Sequence, residues 1–119
     1  MRLTRAQGLV KLDFDKSYPD VERIRMLLQR AGYQPQTAEI GASPSGMGWH
    51  VVIDVKPRPR HPMEVVALQA ILGSDPYREA MQMHRARAFP YAPVWMRNAW
   101  NVLYLPHRLR QRHIQLREK

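Results

Sequence analysis

Two short segments hold the residue types that divalent-metal and phosphate chemistry uses: Leu12-Asp13-Phe14-Asp15 and, some thirty residues later, Ser45-Gly46-Met47-Gly48-Trp49-His50. Hard carboxylate oxygens two residues apart suit Mg²⁺ or Mn²⁺, which take carboxylates together with water and phosphate oxygens. Glycines let backbone N–H groups come close to a phosphate, and a histidine behind them can donate to a phosphate oxygen. Asp54 follows four residues after His50. Three carboxylates and an imidazole would therefore meet if the two segments were neighbouring strands facing the same way.

Both segments read as strands by apolar alternation. Val10, Leu12 and Phe14 share one face, which leaves Lys11, Asp13 and Asp15 on the other. Trp49, Val51, Ile53 and Val55 share a face opposite His50, Val52 and Asp54. Between the strands, Val21, Ile24, Leu27, Leu28 and Ala31 recur at helical spacing. Ser17 or Tyr18 is the expected N-cap, Pro19 falls in the first turn, and Gly32 is the stop. A strand over 33–42 carries Pro35 near its start, which predicts an edge position. Lys56-Pro57-Arg58-Pro59-Arg60 is a stiff extended segment. Helices are predicted over about 62–72 and 76–88, and a last strand over Asn101–Leu105. The order βαββ(αα)β predicts an α+β fold, a ferredoxin-like, RRM-like βαββαβ sandwich with an antiparallel sheet and its helices on one face. Residues 1–105 would form this single domain and 106–119 a basic C-terminal tail.

The chain has 119 residues, 45% of them hydrophobic and 24% charged, enough for one core and no second domain. It has no cysteine, which excludes a disulfide framework and a thiolate zinc site and fits a reducing compartment. Neither a signal-peptide pattern nor an 18-residue apolar run is present, so a cytoplasmic, non-membrane protein is expected. Charge is uneven: residues 1–55 carry 7 Lys/Arg against 6 Asp/Glu, and residues 56–119 carry 12 against 4. Arginine dominates the second half, and its planar fork suits phosphate. Arg58, Arg60, Arg85, Arg87, Arg108, Arg110, Arg112 and Arg117 are the candidate nucleic-acid contacts.

Taken in this order, the two motifs resemble those of the archaeo-eukaryotic primase superfamily, the primase–polymerases. The resemblance covers roughly residues 9–55 and rests on Asp13-Phe14-Asp15 and Ser45-Gly46-Met47-Gly48-Trp49-His50. It implies metal binding by Asp13 and Asp15, and nucleoside triphosphate binding by Ser45, Gly46, Gly48 and His50. It also implies metal-dependent nucleotidyl transfer in DNA replication, with a replication partner protein and, given the small size, a viral or mobile-element setting in a host cytoplasm. The third carboxylate of that family falls where this chain has Asn101, so Asp54 is the first candidate to replace it and Asp75 the second. An RNA-recognition motif using the same fold would stack bases on aromatics of its two central strands, but Phe14 and Trp49 are predicted to point inward. A rolling-circle nuclease needs a His-hydrophobic-His pair, which is missing. A non-catalytic binding or regulatory protein that uses only the basic half remains the alternative.

Overall fold

A computed structural model describes residues 3–5, 7–15, 17–44, 46–88, 91, 101 and 112–116. The chain runs β1 (Val10–Asp15), α1 (Val21–Arg30), β2 (Gln34–Ala42), β3 (Gly48–Lys56), α2 (Pro62–Ile71), α3 (Pro76–Ala88) and β4 (Arg112–Gln115). Every strand pairing is antiparallel, and the sheet order is β1-β3-β2-β4.

Apolar alternation sets the inward face. Val10 and Leu12 of β1, Ala38 and Ile40 of β2, and Val51, Ile53 and Val55 of β3 are buried in one cluster with Ile24 and Leu28 of α1 and Leu68 and Leu72 at the end of α2. The two helices thus cover one face, as the sequence predicts. Asp20, not Ser17 or Tyr18, caps α1, its carboxylate accepting from the Arg23 amide at 3.1 Å. Gly32, at φ +92°, ends α1 in a left-handed turn in which the Tyr33 amide reaches back to the Leu28 carbonyl at 2.9 Å.

The sheet order, the edge position expected for Pro35 and the solvated C-terminal tail are corrected. A ferredoxin-like sandwich would set the last strand beside β1, but β4 pairs with β2 over Thr37–Ile40, so among the described residues β1 is an edge and β2 is interior. Pro35 is tolerated because β4 reaches only to Thr37 and the register of β2 against β3 shifts between Pro35 and Thr37. The predicted strand over Asn101–Leu105 begins on a residue that sits in a turn at φ +57°, and 102–105 lie outside the described residues. Among the described residues the last strand, β4, lies within the expected tail. Leu116, just after β4, is buried in the main cluster, so this stretch belongs to the domain and is not a solvated arm. Among the described residues no helix is long and apolar enough to cross a membrane.

Candidate functional site

Asp13 and His50 face each other directly across the β1–β3 ladder. The main-chain N–H and C=O of Asp13 both turn away from β3, toward Ser74 and Asp75. The pair is therefore a non-hydrogen-bonded rung, where side chains stand closest. His50 Nε2 lies 3.4 Å from Asp13 Oδ1, with the imidazole 9% and the carboxylate 24% exposed. Burial raises the Asp13 pKa; His50 and Arg78 pull it down, while the charges of Asp15 and Asp75 push it further up. Lys11, on the same face, is held below the usual lysine range by burial and by Arg78.

The predicted foursome divides. Asp15 stands exposed at the end of β1 opposite Gly48, one side-chain step beyond Asp13. Asp54 lies four residues along β3 from His50, a rise of about 13 Å at the strand repeat, and its carboxylate is 3.6 Å from the Arg5 guanidinium. Asp54 is thus removed from the site. The Asp75 main chain lies beside Asp13, its amide donating to the Asp13 carbonyl at 2.7 Å, while its carboxylate accepts from the Tyr77 amide at 3.3 Å.

The glycine turn bonds its own hairpin. Gly46 turns at φ +75° and gives its amide to the Ser43 carbonyl at 2.8 Å, while the Gly48 amide goes to Ser43 Oγ at 3.1 Å. A Cβ on Gly48 would collide with the Phe14 carbonyl oxygen, so glycine there lets β3 approach β1. Both amides are committed to the hairpin, and phosphate contacts through them would need the hairpin to open. Ser45 lies outside the described residues.

Sequence reasoning missed a buried polar network along the outer edge of β1. The Lys11 amide donates to Gln69 Oε1 at 2.8 Å and the Asp13 amide to Ser74 Oγ at 3.0 Å. The carbonyls of Leu9, Lys11 and Asp13 accept from Asn101 Nδ2, Arg78 and the Asp75 amide. These partners are themselves joined. Gln69 donates to Glu79 at 2.6 Å and to Asn101 at 3.0 Å, Arg78 pairs with Glu79 at 2.6 Å, and Gln82 accepts from the Asn101 amide. Asn101 is therefore a structural residue and not a stand-in for a catalytic acid. The signal that could have found the network is Gln69, a polar residue among Val65, Val66, Leu68 and Leu72 on α2.

The basic candidates are scattered. Arg58 and Arg60 are exposed on the extended segment after β3, and Arg85 and Arg87 on the last turns of α3. Arg112 opens β4 opposite Ile40, and Arg108, Arg110 and Arg117 lie outside the described residues. The aromatic rings of β1 and β3 are on the helix side: Phe14 and Trp49 pack against the core, and Trp49 meets Tyr18 edge-on at 4.9 Å.

The donor set around Asp13 fits Mg²⁺ or Mn²⁺ in kind. Among the described residues no three His, Asp or Glu side chains converge to hold an ion. No protein-family model, curated protein or solved structure matches the chain.

Proposed function

We propose that this chain is a primase–polymerase-like nucleic-acid replication domain that gathers nucleotide or nucleic-acid phosphates through a divalent cation at the Asp13 end of β1. The observation that carries the reading is the acid–imidazole rung: Asp13 against His50 at 3.4 Å, with Asp15 and Asp75 adding like charge that a cation would neutralise. The order β1-β3-β2, with α1 joining β1 to β2, is the half of an RRM-like sandwich on which the two motifs sit.

Asp13 and Asp15 supply the oxygen ligands, and His50, 3.4 Å from Asp13, the imidazole nearest a bound phosphate oxygen. Bound there, a divalent cation would neutralise phosphate charge and activate a hydroxyl, the requirements of nucleotidyl transfer. Arg58, Arg60, Arg85 and Arg87 give the polymer's backbone exposed cations to follow.

Titration with Mn²⁺ and a nucleoside triphosphate tests the site. Binding should appear in the parent and vanish in Asp13→Asn with Asp15→Asn; equal binding in the double variant refutes the cation site. Primer synthesis and extension on single-stranded template then separates an enzyme from a binding module. One observation favours the second reading, a non-catalytic nucleic-acid-binding protein: the Gly46 and Gly48 amides are closed into the hairpin. Under that reading polymer binding persists in the double variant and no extension product forms.

A further inference from the structure

We propose that the turn between α2 and α3 is a positioning device for the Asp13 carboxylate, with Ser74 and Glu79 acting through the Asp13 main chain and not on a ligand. The proposal rests on the reading of Asp13 as a phosphate-site residue and deepens it by naming what holds that residue in place.

β1 is an edge strand, and an edge leaves outward N–H and C=O groups without a ladder partner. At Asp13 both are held by consecutive residues: Ser74 Oγ accepts the amide at 3.0 Å, and the Asp75 amide donates to the carbonyl at 2.7 Å. The Ser74 hydroxyl has one orientation that satisfies its surroundings. Its proton goes to Glu79 Oε2 at 2.7 Å, which leaves its lone pair for Asp13. Glu79 in turn is 4% exposed and is gripped by Arg78 and by Gln69, each at 2.6 Å. The relay therefore ends on a buried carboxylate that cannot drift.

Location separates positioning from plain structural support. Two residues upstream, Lys11 is already secured on the same edge by Gln69 and Arg78. The Ser74–Asp75 clamp is spent on the residue whose carboxylate meets His50, next to the strand end, where edge strands open most readily. It also brings in the Asp75 charge that Asp13 feels. Ligand sites of this kind need side chains held to roughly 0.5 Å by their supporting groups.

The test compares Ser74→Ala, Ser74→Thr and Glu79→Gln in the full chain by amide hydrogen exchange and by Mn²⁺–ATP binding. In the parent, the Asp13 amide should exchange as slowly as that of Leu12, which points to β3; exchange as fast as at exposed Asp15 overturns the proposal before any substitution. In Ser74→Ala the Asp13 amide should lose protection while Leu12 keeps it, and Mn²⁺–ATP affinity should fall about tenfold, the scale set by supporting groups at metal sites. Ser74→Thr, which keeps the hydroxyl, should restore both. A Ser74→Ala protein that loses protection uniformly and binds Mn²⁺–ATP as the parent does assigns Ser74 to general stability and overturns positioning. Should Ser74→Ala fail to fold, Glu79→Gln carries the same comparison. If the parent itself binds no Mn²⁺–ATP, the cation reading fails, while exchange at Asp13 still decides whether the clamp acts locally.

Discussion

Replacing Gln69 by leucine is the sharpest probe of the β1 edge, because the two side chains are close in volume and only the hydrogen bonds change. Gln69 is fully buried. Its carbonyl oxygen accepts from the Lys11 amide at 2.8 Å and from Asn101 Nδ2 at 2.9 Å, while its amide donates to Glu79 Oε1 at 2.6 Å and Asn101 Oδ1 at 3.0 Å. Leucine would leave the Lys11 N–H without a partner. It would also remove one donor from a buried carboxylate and two bonds from Asn101, which keeps Arg78, Gln82 and Leu9. A buried polar group left unpaired costs about 1–3 kcal/mol, more when charged. With the Lys11 amide and the Glu79 carboxylate most affected, the loss should be about 3–5 kcal/mol, a large share of the roughly 5–15 kcal/mol that holds a domain folded. Urea unfolding followed by circular dichroism measures it as a lower midpoint at unchanged slope. A loss under about 1 kcal/mol, the ordinary net worth of one hydrogen bond, would show that the edge does not depend on this network.

Asp13, with its pKa raised in the fold, binds its proton more tightly folded than unfolded. Parent stability should therefore decline relative to Asp13→Asn as pH rises from the ordinary aspartate range through the raised value, which urea midpoints across acidic to neutral pH would show; parallel curves would contradict the shift. Replacing Arg58 and Arg60 with glutamine should flatten the salt dependence of single-strand binding, by up to about 0.7 in logarithmic slope for each phosphate no longer neutralised. An unchanged slope in fluorescence anisotropy across salt concentrations would remove that segment from the interface.

Local pattern determined much of this protein. Period-two alternation placed Val10, Leu12, Val51 and Ile53 inward and Asp13 and His50 outward, because a strand has only two faces and apolar residues claim one. The helices over 62–71 and 76–88 were equally legible, marked by Pro62, Gly73 and Pro76. Facing Asp13 against His50 followed from two correctly read strands and the short connections between them. Tertiary structure decided the rest. Which edge receives the last strand depends on competition for unpaired backbone groups, and no periodicity records that contest. On β1 the edge is taken by Gln69, Ser74, Arg78 and Asn101, so the last strand pairs with β2. The acids sort for the same reason: Asp54 shares a face with His50 but lies two side-chain steps away and meets Arg5, whereas the main chain of Asp75, remote in sequence, is carried to Asp13 by the hydrogen bonds that close that edge.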